Sequence, residues 1–334
     1  MFKTKRIFSK TLILMLVVAL SVGIVGCTKE ASQQEAPKQE VYPSKAVELI
    51  VPWPAGSGSD AQVRLVFSYA EKYFGQKFVI LNKEGASGEV GWTYISQAKP
   101  DGYTIGLLNS PLLQMPIQKT STKFTLDSFS YIANLITDPG VVCVKTGGKY
   151  KNLTDLIADA KARPEKVTIG CAGLLTSEAR TIKNLESMAG VKFNLVPYNG
   201  GGELNAALLG GHIDAIATNV GSQMSMILDK SMTPIAVAAA QKVSLIPDVP
   251  TFKEQGYDIE QVSMRAIGGP AGMDPSITAK IYDAIQKAMN DPELNQKLKD
   301  MNLPTDLLSG DKVLEIYKNI DKNLRAEWAV RPWA

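Results

Sequence analysis

Short, near-continuous apolar runs alternate with longer amphipathic stretches along residues 43–334. Ala46–Val51, Phe78–Asn82 and Tyr103–Leu108 are apolar runs of strand length. Between the first two, Asp60–Phe74 puts Leu65, Val66, Tyr69, Ala70 and Tyr73 on one helical face, and Gly75 is placed to stop it. A second helix is expected over Glu89–Lys99, followed by the turn signal Pro100-Asp101-Gly102. Strands that are apolar throughout, separated by helices, predict a parallel sheet with helices on both faces.

The middle of the chain repeats the theme. Strands are expected at Val141–Lys145, Lys166–Cys171, Phe193–Val196, Ile213–Thr218 and Ile235–Ala240. Helices are expected at Leu153–Ala162, Thr176–Ala189 and Glu203–Leu209, the last two ending at Gly190 and at Gly210-Gly211. After a strand-like Met264–Gly268 the tail is helical, over Pro275–Met289, Pro292–Asp300 and Asp311–Trp328. There is no tandem repeat. Two α/β units with a helical tail predict two lobes, each a mainly parallel sheet with flanking helices, and a cleft between them. The crossings are placed at Val141–Lys145 and Val262–Gly268. Lobe one is then 43–142 plus 264–334, and lobe two is 143–263. Ligands in open α/β sheets sit at the carboxyl ends of the strands, and Gly-rich loops from both lobes would face each other there.

The first residues read differently. Lys3, Lys5, Arg6 and Lys10 precede the apolar run Thr11–Val25. That run is short for a membrane span and reads as a secretory signal. Its end, Ile24-Val25-Gly26-Cys27, resembles the bacterial lipobox, with Ile where Leu is commoner. Cys27 would then be lipidated and become the new N-terminus after removal of residues 1–26. A cysteine following an ordinary signal peptide is the plainer alternative. Residues 27–42 are polar, without apolar periodicity, and suit a flexible tether. The protein is therefore expected to be exported and lipid-anchored to the bacterial membrane on its extracytoplasmic face. The formal charge of +3 includes the four cations of residues 1–26, which hold no acid; the remainder carries −1. Nothing points to a nucleic-acid partner. Cys143 and Cys171 lie in strand-like runs and read as buried free thiols, although export permits a disulfide. No metal-ligand cluster and no cofactor motif is present.

The stretch VPWPAGSGSDAQ (51–62) joins a strand to a helix through a Gly-rich loop. It lacks the Lys of a phosphate-binding loop and the spacing of a dinucleotide fingerprint. Gly56 and Gly58 allow close backbone approach, and Asp60 is expected as N-cap. Free N–H groups around Pro54, Ala55, Gly56, Ser57, Gly58 and Ser59 would favour a carboxylate. A plain βα turn is the other reading. Tyr198, Asn199, Gly200 and Gly201 precede a second helix start with the same capacity, or simply a flexible connection. Ser87-Gly88, Asn109-Ser110, Ala172-Gly173, Thr176-Ser177 and Asn219 follow strands and complete the candidate set; Thr176 and Ser177 equally suit helix caps. Catalytic patterns are lacking: His212 is the only histidine, Asp214 reads as structural, and there is no nucleophile elbow.

The order YPSKAVELIVPWPAGSGSDAQVR, EGASGEVG, AKPDGYTIG, VPYNGGGELNAALLGGHIDA, IPDVPTFKEQGYD and GGPAGMDPSI resembles the extracytoplasmic receptors of tripartite tricarboxylate transporters, also called the Bug family. The resemblance runs from about Tyr42 to Leu298. It implies a type II periplasmic-binding-protein-like fold that closes on a small organic acid without making or breaking a bond. It implies a monomer that hands its cargo to a large and a small integral membrane subunit. It puts one ligand carboxylate on the backbone N–H groups of Pro54–Asp60, with ordered water. Ser87-Gly88, Asn109-Ser110 and the second-lobe loops Ala172–Ser177 and Tyr198–Gly202 complete the site. Trp53, where the family usually has Phe, reads as a packing substitution. CAGLLTSEARTI carries Leu174 and Leu175 where the family often shows small Ser-rich residues and a following His. That implies a less polar pocket end, or charge from Arg180, whose plainer role is a solvated helix face. A receptor for an amino acid or another anion, serving a different transporter or a membrane sensor, is the competing reading.

Overall fold

Strands with both faces covered are largely apolar, and Val47–Val51 and Thr104–Leu107 of the first sheet approach this, while Glu48 and the exposed Val79 mark where it meets solvent. The computed structural model describes residues 42–109 and 111–333. The signal, Cys27, the tether up to residue 41 and Ser110 lie outside the described residues. In chain order, β1 (Val47–Val51) leads into α1 (Gly58–Phe74), β2 (Phe78–Asn82), α2 (Glu89–Ser96), β3 (Thr104–Leu107) and α3 (Pro111–Gln118). The strands pair in parallel in the order β2-β1-β3. α1 buries Val63, Val66, Phe67, Ala70 and Phe74, a stripe turned from the one the sequence suggested. Tyr69 and Tyr73 flank that stripe and use their hydroxyls, Tyr73 donating to Asp291 at 2.8 Å and Tyr69 accepting from Lys297 at 2.7 Å.

β4 (Phe129–Lys145) is the spine of the molecule. Only its last third was legible as a strand, because Asp138-Pro139-Gly140 looks like a break. In the structure those residues mark a change of sheet. Up to Pro139, β4 pairs with first-sheet strands, and from Gly140 it pairs with the second sheet. The second sheet follows as α4 (Leu153–Ala162), β5 (Thr168–Cys171), α5 (Ser177–Ala189), β6 (Asn194–Pro197), α6 (Gly201–Leu209), β7 (Ala215–Asn219), α7 (Val220–Leu228) and β8 (Met232–Ala238). Strands β6, β5 and β7 are parallel, while β4 runs antiparallel to β7 and β8. The chain returns through β9 (Val262–Pro270), antiparallel between β3 and β4. It ends with α8 (Pro275–Met289), α9 (Pro292–Asp300), β10 (Thr305–Ser309) and α10 (Gly310–Val330). α8 and α9 start as the sequence suggests, with Asp274 and Asp291 as N-caps and Pro at the first helical position. Both sheets are thus mixed, and every antiparallel pair involves β4 or β9, the strands that pass between lobes.

Each lobe has its own core. The first gathers Leu49, Ile50, Phe67, Trp92 and Tyr317 among others. The second sheet is covered on both faces. Val142 and Val144 pack with Leu156 and Phe252 on one side, and Val141 and Cys143 with Leu208 and Met224 on the other. This period-two alternation explains why VVCV is apolar at every position. Cys143 and Cys171 are buried free thiols, and burial pushes both thiol pKa values up to about 12.

One contact seats the first Gly-rich loop. α2 lies so close beneath β1 that a Cβ on Gly91 would stand 2.7 Å from Pro52 Cβ and 2.9 Å from Lys83 O. Gly91→Ala is therefore expected to destabilise the protein by about 1–3 kcal/mol, read as a lower urea midpoint at unchanged slope. An unchanged midpoint would show that the loop tolerates displacement of α2.

Candidate functional cleft

Four helices begin around one cavity between the two sheets, and their first residues form most of its wall. The cavity holds about 250 Å³. α1 supplies Gly58 and Ser59, α5 supplies Thr176 and Glu178, α6 supplies Gly201 and Gly202, and α7 supplies Ser222 and Gln223. Helix N-termini carry unpaired N–H groups and a partial positive charge, so their convergence favours an anion.

The first loop decides which of its donors stay available. Ser57 N–H turns back to Pro54 O at 3.1 Å. Ser57, not Asp60, is the N-cap of α1: its Oγ accepts from Asp60 N–H at 3.4 Å. Asp60 is buried and works from the third helical position. Its carboxylate accepts from Gly56 N–H and Arg64 Nε, each at 2.9 Å, and from Asn82 Nδ2 at 2.8 Å. Burial acts to raise the Asp60 pKa, but the hydrogen bonds from Arg64, Gly56 and Asn82 outweigh it and hold the carboxyl below its ordinary value. Gly56 and Asp60 thus spend their N–H groups inside the loop. Those of Gly58 and Ser59 have no partner among the described residues and border the cavity. In the second lobe the same holds for Gly201 and Gly202 at the start of α6, where Gly200 O accepts only from Leu204 N–H.

Pro54, Gly56, Ser57, Gly58, Ser59, Asn109, Ala172, Thr176, Gly200, Gly201 and Asn219 border the cavity. Other candidates sit behind it. Ala55 and Asn199 are exposed, and the Tyr198 ring packs against Gly170 of β5. Ser177 is buried and accepts from Gln261 Nε2 at 3.2 Å. Ser87, Gly88 and Gly173 do not line the cavity either. Ser87 instead abuts Gly173 from the facing lobe, where an added Cβ would lie 2.4 Å from Ser87 Oγ. Gly88 is buried over the Trp92 ring.

Three expectations about the unusual residues are corrected. Trp53 does more than pack: it borders the cavity, and its indole N–H donates to Asn109 Oδ1 at 3.1 Å, fixing that amide. Leu174 and Leu175 do not line the pocket. Leu174 is exposed, while Leu175 packs on the first-lobe core and its carbonyl accepts from Gln114 Nε2 at 2.9 Å. Arg180 is neither solvated nor in the cleft; it pairs with Glu327 of α10 at 2.8 Å and lies over the Trp333 ring.

Sequence reasoning missed the floor of the cleft. Arg265 of β9 lines the cavity, and it meets Asp138 of β4 at 3.3 Å with both groups buried. Arg265 also donates to Gln62 of α1 at 3.2 Å and to Ser263 Oγ. Asp138 accepts from Gly221 N–H of α7 at 2.8 Å, and its own carbonyl accepts from Asn219 Nδ2 at 3.2 Å. A charge inside each apolar run, ITDPGVV and VSMRAIGG, was the available signal. Burial pushes the Asp138 carboxyl up to about 6, while the attraction of Arg265 and the Gly221 N–H pull the other way and nearby Glu178 adds to the rise.

The comparisons with known proteins agree on this architecture. The model of the tripartite tricarboxylate transporter family receptor matches residues 63–317. The chain belongs to that family. Among relatives of this receptor, a UPF0065 protein in the gbd 5' region of Cupriavidus necator is 29% identical over 286 residues, covering 86% of each chain. A solved periplasmic transporter superposes with a TM-score of 0.80 at 26% identity, covering 85% of this receptor and 96% of that chain. MatC from Rhodopseudomonas palustris with bound malate gives 0.79 at 20% identity, covering 85% and 99%, and shows the shared two-lobed fold. Among the described residues of the receptor, no helix is long and apolar enough to cross a membrane.

The floor of the cleft gives a two-part test. Arg265→Met leaves Asp138 buried without its cation and is expected to cost about 3–5 kcal/mol at pH 7. The second part uses pH. Asp138 binds its proton more readily in the folded state, at about 6, than at its ordinary value of 3.8. Folding therefore takes up a proton between those values, and this group adds stability as pH falls from 7 to 4.5, by about 2 kcal/mol. Asp60 has the opposite sign: its contribution is present at neutral pH and is lost only below about pH 4. Urea titrations at pH 7 and 4.5 should show the wild type gaining on Asp138→Asn as pH falls; parallel behaviour of the two would refute the assignment.

Proposed function

We propose that the protein is an extracytoplasmic solute receptor that captures a small carboxylate and delivers it to the membrane subunits of a tripartite transporter. The observation that carries this reading is the pair of donor sets facing one cavity from opposite lobes, Gly58 and Ser59 on one side and Gly201 and Gly202 on the other. One carboxylate fits the start of α1, with Ser57 Oγ and the Asn109 amide beside it. MatC, a protein of the same fold, was solved with bound malate, a small carboxylate of this kind. We read the site as binding without turnover, which is the role of the receptor family whose model the chain matches.

Closure follows from the lobe contacts. Pro54 approaches Gly200, Gly58 approaches Ser222, and Ser87 approaches Gly173. A ligand touching both lobes favours this arrangement over an open one by the difference in its affinity for the two. We take the lobes to divide where β4 changes sheet, at Asp138–Gly140, and where the chain returns at Gln261–Val262. Export as a monomer, with lipidation of Cys27 holding the tether to the membrane, completes the reading.

Two measurements test it. A carboxylate that binds should raise the melting temperature and reduce the radius of gyration in solution scattering. Gly58→Ala should weaken that binding about tenfold while the free protein stays folded, because the new Cβ would lie 2.8 Å from Ser222 Oγ in the closed form. A bound carboxylate with an unchanged lobe angle would defeat the closure. Separately, Cys27→Ala should move the protein from the membrane to the soluble extracytoplasmic fraction; retention in the membrane would rule out the lipid anchor.

A further inference from the structure

The cleft holds a carboxylate of its own. Glu178, in the first turn of α5, lines the cavity and is 8% exposed. Its hydrogen bond within the protein is from Ser177 Oγ at 3.3 Å. No Lys or Arg lies within ion-pair distance of it among the described residues: Arg180 feels its charge only at longer range and is engaged by Glu327, Arg265 is engaged by Asp138, and Asp138 repels it. A buried charge without a counter-charge is unfavourable unless something else supplies donors.

Two neutral acceptors share its surroundings. Gln223, 1% exposed, donates through Nε2 to Thr218 Oγ1 at 3.2 Å, and its Oε1 is buried without a protein partner. Asn205 Oδ1 is likewise buried and unpartnered. Both residues line the same cavity. All three acceptors belong to the second lobe, on α5, α6 and α7, opposite the donors of α1. One wall asks for negative charge, and the other also asks for hydrogen-bond donors carrying positive charge.

We propose that Glu178 is a ligand-binding residue and that the cargo is an amino acid: a carboxylate at the start of α1 and a protonated amine against Glu178, with Gln223 and Asn205 as further acceptors. This rests on the carboxylate-receptor reading and narrows it. An ammonium group offers three donors and a full charge, matching one carboxylate and two amide oxygens. A second carboxylate in place of the amine would meet Glu178 as a like charge.

Sets of equal carbon skeleton decide the matter: aspartate, malate and succinate; glutamate, 2-hydroxyglutarate and glutarate; alanine, lactate and propionate. Each is titrated calorimetrically into the full mature receptor, and each is used in a thermal-shift scan. An amino member should bind at least about tenfold more tightly than its hydroxy and unsubstituted counterparts. Glu178→Gln should remove that preference, and Glu178→Ala should do the same while circular dichroism shows the fold retained. Equal or tighter binding of a hydroxy or unsubstituted acid overturns the proposal and leaves the carboxylate reading standing. So does an amino preference that survives both substitutions. Failure of all nine acids to bind overturns both.

Discussion

The arrangement hangs on one buried ion pair, Asp138 with Arg265, set where the chain passes between sheets. Both charges are almost fully buried, so each depends on the other and on the hydrogen bonds around them. Those bonds reach in several directions. Arg265 holds Gln62 near the start of α1, and Asp138 holds the Gly221 N–H at the start of α7. One helix belongs to each lobe, and both begin at the cavity. The pair therefore registers the two walls of the cleft against a common point on the β4 spine. A hydrophobic pair of similar volume could fill the space, but it could not orient two helix starts at once.

The same bookkeeping of donors explains why the four helix starts are not equivalent. α7 gives the N–H group of its second residue, Gly221, to Asp138. α5 carries Glu178 in its first turn and is capped by Thr176, whose Oγ accepts from Ala179 N–H at 3.3 Å. α1 spends the Asp60 N–H on its own cap. Among the donors left for a solute are Gly58 and Ser59 on one side, and Gly201 and Gly202 on the other. Glycine and serine are the residues found there because nothing bulky stands between these N–H groups and the cavity.

Much of this was legible in the sequence where the signal is local. α8 and α9 were readable to the residue, since Asp caps, Pro at the first helical position and an amphipathic stripe agree. The Gly-rich loops were also readable, because a Gly-Ser run after an apolar strand has few uses. Elements that depend on distant partners were not. β4 looked broken at Asp138-Pro139-Gly140, and α3 was hidden by Pro116 within it. α7 follows its strand with no intervening loop. Arg265, Asp138 and Glu178 acquire their meaning only when residues far apart in the chain meet. The Leu174-Leu175 pair misled for the same reason: its partner is the core of the other lobe.

The distribution of cross-lobe contacts says how such a cleft can open without unfolding. The lobes are tied by directional bonds from Gln114 to Leu175 O and from Arg180 and Asn184 to Glu327. At the Gly-rich loops they meet through Gly58, Ser87, Gly173 and Gly200, with van der Waals contact and little hydrogen bonding. A rotation that separates the loops breaks few bonds and exposes glycine and serine, which water solvates readily. A rotation of the opposite sense would strain the Arg180–Glu327 tie and the β4–β9 ladder. The opening that the proposed capture of a solute requires is therefore the motion these contacts oppose least.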